Sequence, residues 1–138
     1  MKLELSSLTN AVDALEKSIG AMEKFAATLP AAARETMRSG VIQNFEVAYE
    51  QCWKMMKRWL ETNVSPTTAD GVTRRELFRL AAENLLIDDV NLWMEFHAAR
   101  NEGAHVYDRD TAVMVSGAAA EFLTAAKKFL VNLQARND

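Results

Sequence analysis

From Leu8 to Leu29 apolar side chains fall at positions 8, 12, 15, 19, 22, 26 and 29, alternating steps of four and three. That spacing follows one face of an α-helix and predicts a long amphipathic helix packed along a heptad-like seam. Ser6 or Ser7 is placed to cap its start, and Pro30 to end it or begin a turn. A second helix is predicted from about Ala32 to Glu61, with Ser39-Gly40 as a point of possible bending or breakage. It carries two apolar series: Val41, Phe45, Ala48, Cys52, Met55, Trp59, and Ile42, Tyr49, Trp53, Met56, Leu60. Together they make a face wider than one neighbouring helix covers. Such a helix is either central in a bundle or shared with a second subunit.

Thr62 to Val72, with Asn63, Ser65-Pro66 and Asp70-Gly71, reads as a loop. Thr73-Arg74-Arg75-Glu76 matches a capping box and opens a short helix to about Asn84. Asp88 or Asp89 caps the next helix, whose apolar residues Val90, Trp93, Phe96 and Ala99 recur every three positions. A last helix is predicted from near Asp110-Thr111 to about Ala135, with Val115, Ala118, Phe122, Ala126, Phe129 and Leu133 inward. No stretch alternates with period two. The pattern predicts an all-α chain, an antiparallel four-helix bundle with one additional short helix, forming a single domain over residues 1–138.

Composition narrows the function classes. Two prolines and five glycines in 138 residues agree with helices. One cysteine, Cys52, excludes an intramolecular disulfide. The start of the chain lacks the apolar core of a secretory signal, and no apolar run has the length of a membrane span, so a cytoplasmic location is expected. A net charge of −3 argues against a general nucleic-acid coat, and any RNA contact must be local.

The densest candidate chemistry is Arg100-Asn101-Glu102-Gly103-Ala104-His105-Val106-Tyr107. Gly103 stands where a helix can end in the left-handed conformation, which puts Arg100 on the last turn and His105 just beyond. A guanidinium and an imidazole at that spacing can converge on one small anion. Read alone, Arg100 is equally a solvated helix-end cation, and His105 a loop residue capping a carbonyl. Between residues 100 and 110, Arg100 and Arg109 face Glu102, Asp108 and Asp110, a local balance of −1. Arg34 and Arg38, or Arg74, Arg75 and Arg79, either extend a basic path or are solvated helix faces. His97 lacks a companion set of metal ligands, so no metal is expected. Walker-type glycine loops and Gly-x-Ser-x-Gly elbows are absent.

The octapeptide resembles the signature of the HEPN superfamily, in particular the HepT-like toxins, also labelled nucleotidyltransferase substrate-binding proteins. Two more stretches resemble that family: Ile42 to Lys54, and Leu85-Leu86-Ile87-Asp88-Asp89 followed by Trp93. The likeness runs over about residues 5 to 135. It implies a homodimer with a composite cleft, a minimal nucleotidyltransferase antitoxin as partner, and adenylylation of Tyr107 as the silencing step. It also implies a metal-independent endoribonuclease in which Arg100 stabilises the phosphorane and His105 transfers protons. The chemistry agrees: imidazole titrates near neutrality, and guanidinium stays charged and fits phosphate. Asn101 is expected to bond the phosphate or orient Arg100. The glycine-serine motif of a nucleotidyltransferase is missing, so the chain is not that enzyme itself. The rival expectation is a non-catalytic subunit that holds a nucleotide or other substrate for the nucleotidyltransferase, with Arg100 and His105 binding phosphate alone.

Overall fold

The structure, a computed structural model, describes residues 2–103 and 108–138. It contains α1 (Ser6–Phe25), a short 3-10 turn (Ala26–Thr28), α2 (Ala31–Asn63), α3 (Arg74–Glu83), α4 (Val90–Gly103) and α5 (Arg109–Ala135). The described residues contain no strand. The long helices α1, α2, α4 and α5 form the antiparallel bundle, and α3 is the extra short helix.

The helix ends differ from expectation in instructive ways. Ser6 does not cap α1: it is the first helical residue, and its N–H donates to the Glu4 carboxylate at 3.0 Å. α2 passes through Ser39-Gly40 without a break, because packing along its length outweighs the low helix propensity of one glycine. Thr73 does cap α3, its hydroxyl accepting the Glu76 N–H at 3.2 Å. Asp89 caps α4 through the Leu92 N–H. α5 starts at Arg109, slightly before the predicted Asp110-Thr111, and its cap is Asp108, which accepts from both the N–H and the hydroxyl of Thr111. Those bonds hold the Asp108 carboxyl below the usual carboxylate range.

A left-handed residue closes α3, and it is a leucine. Leu85 has φ 63°, with Leu86 N–H bonded to Ala81 O and Leu85 N–H to Ala82 O. This is the two-bond closure usually made with glycine. Leu86 drops fully into the core while Leu85 stays largely exposed.

α2 is the central element, touching α1, α3, α4 and α5. That position accounts for its double apolar face: ten of its residues are buried, and Trp53 alone of the two predicted series is partly exposed. Phe122 of α5 sits at the middle of an aromatic cluster, in edge or tilted contact with Phe45, Tyr49, Trp93 and Phe96. On α5 the buried register follows prediction except at one place, where Ala119 is buried and Ala118 only partly so. Among the described residues no helix is long and apolar enough to cross a membrane.

Candidate functional site

α2 and α4 meet along matching polar stripes. Glu46, Tyr49, Glu50 and Trp53 follow one another on a single face of α2, and His97, Arg100 and Asn101 do the same on α4. Arg100, on the last turn of α4, donates from Nε to Glu50 Oε1 at 3.2 Å, and its Nη1 lies 4.0 Å from Glu46 Oε2. The other oxygen of Glu50 accepts the Trp53 indole N–H at 2.9 Å. These bonds fix the inner edge of the guanidinium. Its side chain remains 26% exposed, facing a shallow groove that Gln43, Val47 and Gln51 complete.

His97 joins the stripes at a second point. Its Nδ1 shares a hydrogen bond with the Tyr49 hydroxyl at 2.8 Å, and Asn101 Nδ2 lies 3.4 Å from Nε2. Burial lowers the His97 pKa, and the Arg74 and Arg100 guanidiniums add to this against the opposing pull of Glu50. The imidazole is therefore neutral around pH 7, offering one donor and one acceptor to its two neighbours. Burial also pushes the Tyr49 phenol above its ordinary value, so it stays protonated. Cys52, wholly buried, is raised likewise and is not a reactive thiol.

Gly103 ends α4, but with helical backbone. Its role is closeness: a Cβ there would come within 3.3 Å of Glu46 Oε1 and 3.4 Å of Val115 Cγ1. The absent side chain lets the end of α4 press onto α2 and α5 and brings Arg100 over the two glutamates.

Of the residues predicted for the site, Arg100 and Asn101 are adjacent on α4, and Asn101 turns to His97 while Glu50 orients Arg100. His105 and Tyr107 lie outside the described residues. Among the described residues no group of three or more His, Cys, Asp or Glu side chains is placed to hold a metal.

Residues 3–135 match the model of the family "nucleotidyltransferase substrate binding protein like". The chain belongs to that family. Within the substrate-binding-like family it is 31% identical, over 99% of its length and 95% of the relative's, to a Haemophilus influenzae protein named probable ribonuclease HepT. A solved Haemophilus influenzae structure, described as the fold of a substrate-binding domain of a nucleotidyltransferase, superposes with TM-score 0.90 at 28% identity. It covers 95% of this chain and 99% of that one. A Thermus thermophilus structure shares the fold at TM-score 0.64 and 22% identity, covering 86% of this chain and 98% of its own.

For this member of the family the periodicity of α2 hid part of the site. Tyr49 and Trp53 belong to its apolar series, and Glu46 and Glu50 fall inside the family-like stretch Ile42 to Lys54 with no local sign of a site role. His97 was weighed as a metal ligand and set aside. The available signal was the pairing of two stripes, at 46, 49, 50, 53 and at 97, 100, 101, each with helical spacing.

Proposed function

We propose that the chain is a HepT-like toxin of the cytoplasm, a metal-independent endoribonuclease that acts as a homodimer and is held in check by a minimal nucleotidyltransferase. The ribose 2′-oxygen attacks the adjacent phosphorus while a base takes the hydroxyl proton. The bond from phosphorus to the 5′-oxygen breaks, an acid protonates that oxygen, and a 2′,3′-cyclic phosphate remains. His105 from each of two protomers supplies the base and the acid. Arg100 holds the charge that gathers on the phosphoryl oxygens, and Asn101 supports it. Adenylylation of Tyr107 by the partner adds a phosphate beside Arg100, which fills the anion site and repels RNA.

The observation that carries this reading is the clamped guanidinium. Glu50 fixes Arg100 through Nε, Glu46 lies 4.0 Å from Nη1, and 26% of the side chain stays exposed, five residues before His105. A preset donor fork loses little freedom when a phosphate arrives. The 31% identical relative named as a ribonuclease supports the same reading.

A second reading is favoured by the carboxylates themselves. Glu46 and Glu50 weaken the positive field at Arg100, which suits a subunit that presents a nucleotide to the nucleotidyltransferase without cleaving anything. Expression of the chain alone, beside His105→Ala and Arg100→Ala, separates the two. The ribonuclease reading requires growth arrest and RNA loss with wild type, cleavage by the purified protein in the presence of a chelator, and harmless variants. Inert wild type that still binds nucleotide establishes the subunit instead.

A further inference from the structure

We propose that the groove between α2 and the start of α3 is a second phosphate subsite for the RNA strand, in which Lys57 and Arg74 hold a backbone phosphate adjoining the one at Arg100. The inference rests on the ribonuclease reading and names where its substrate lies.

The groove encloses about 430 Å³ and is lined by Trp53, Lys57, Gly71, Thr73, Arg74 and His97, among others. No carboxylate lines it. The grooves beside Arg100, beside Lys128 and beside Arg38 each carry at least one. Among the described residues neither Lys57 nor Arg74 has a carboxylate within ion-pair distance, whereas Arg100 has two. In a chain of net charge −3, two cations without an ion-pair partner in one concave place are a local attraction for an anion.

Arg74 is also prearranged. Its guanidinium carbon lies 3.7 Å from the centre of the Trp53 ring, and that ring is held by the bond from its N–H to Glu50. Arg74 Nε is shielded from solvent with no hydrogen-bond partner. A guanidinium held over an indole can present its Nη edge, and that edge matches two phosphate oxygens. The first turn of α3 borders the same groove and adds its dipole, a smaller pull than the two cations.

Position points to a strand rather than a separate ligand. His97 lines the groove and bonds to Tyr49 and Asn101, so the groove is continuous with the stripe that carries Arg100. Both Arg74 and Arg100 lower the pKa of that same imidazole, so both charges lie near it. From Glu50 to Lys57 is seven residues of helix, about 10 Å along α2. That offset is within reach of the neighbouring phosphates of an extended strand.

The test measures binding of a short 2′-O-methyl RNA, which lacks the attacking hydroxyl, across a salt series by fluorescence anisotropy. Lys57→Gln/Arg74→Gln is compared with a charge-matched control, Arg58→Gln/Arg79→Gln, whose side chains are exposed and outside the groove. Circular dichroism melting verifies that all three proteins are folded. The expected result is a Kd raised about tenfold in the groove variant, with the slope of log Kd against log salt reduced by about 0.7, one phosphate contact. The control should keep the wild-type slope. If wild type binds and cleaves RNA and the groove variant matches it in Kd and slope, the subsite is disproved and the ribonuclease reading survives. If wild type neither binds nor cleaves RNA, the ribonuclease reading fails and the subsite with it. Binding of AMP or pyrophosphate through Lys57 and Arg74, with no binding of the oligonucleotide, would make the groove a mononucleotide site and overturn the assignment to a strand.

Discussion

The Tyr49 hydroxyl lies 2.8 Å from His97 Nδ1, and this bond ties the aromatic core to the polar stripe that carries Arg100. The ring of Tyr49 packs on Phe45 and Phe122 and in tilted contact on the His97 ring, and its hydroxyl bonds to α4. The imidazole is thus held from the inside by the core and from the outside by Asn101. Such a residue transmits core packing to the site and site electrostatics to folding.

That placement sets a dependence on pH. The folded protein resists protonation of His97, chiefly because of burial, with the two guanidiniums adding to the effect. The unfolded chain takes up the proton near about pH 6.5. Above that value both states are neutral at this residue and pH does not matter through it. As pH falls through it, the unfolded state binds more protons, and stability declines until the folded pKa is passed. Urea unfolding at about pH 7.5 and about pH 5.5 should show wild type losing more stability than His97→Gln. Equal losses would remove His97 from the account.

Glu50 should act on catalysis by positioning Arg100, provided the chain cleaves RNA. Glu50→Gln retains one oxygen for Arg100 Nε while its amide nitrogen no longer accepts from the Trp53 N–H, whereas Glu50→Ala removes the acceptor for both. Single-turnover cleavage should fall about tenfold in the alanine variant and less than threefold or so in the glutamine variant, while KM changes little. A merely structural role would instead appear as equal melting loss in both with an unchanged cleavage step.

Leu85 holds a left-handed backbone that favours glycine, and its side chain is 63% exposed. Little burial is lost when it is removed, and the local crowding between Cβ and backbone is relieved. Leu85→Gly should raise the unfolding free energy by about 0.5 to 1 kcal/mol, and Leu85→Ala should leave it nearly unchanged. Chemical denaturation of the three proteins decides this, and a destabilised glycine variant would show that Leu85 packs more than its exposure indicates.

The bundle was legible because its apolar positions keep helical period over long windows. Leu8, Val12, Leu15 and Ile19 on α1, and Phe122, Ala126, Phe129 and Leu133 on α5, are buried as their spacing demands. Two corners were not legible. Gly103 looked like a left-handed terminator, yet it is a point of close contact, and the left-handed terminator is Leu85, a residue type with no local sign of that conformation. Arg100 and Asn101 stood out because they adjoin a family-like motif. Glu50 and His97 did not, since a partner 50 residues away in sequence is set by how α2 crosses α4, which neither helix encodes alone.

The unbroken run of α2 past Ser39-Gly40 makes it a ruler. Arg38, beside Arg34 and Arg109 near one end, and Lys57 near the other are separated by 19 residues of one rod, about 28 Å along its axis. No loop lies between them to shorten that gap. A molecule touching both ends must itself be about that long.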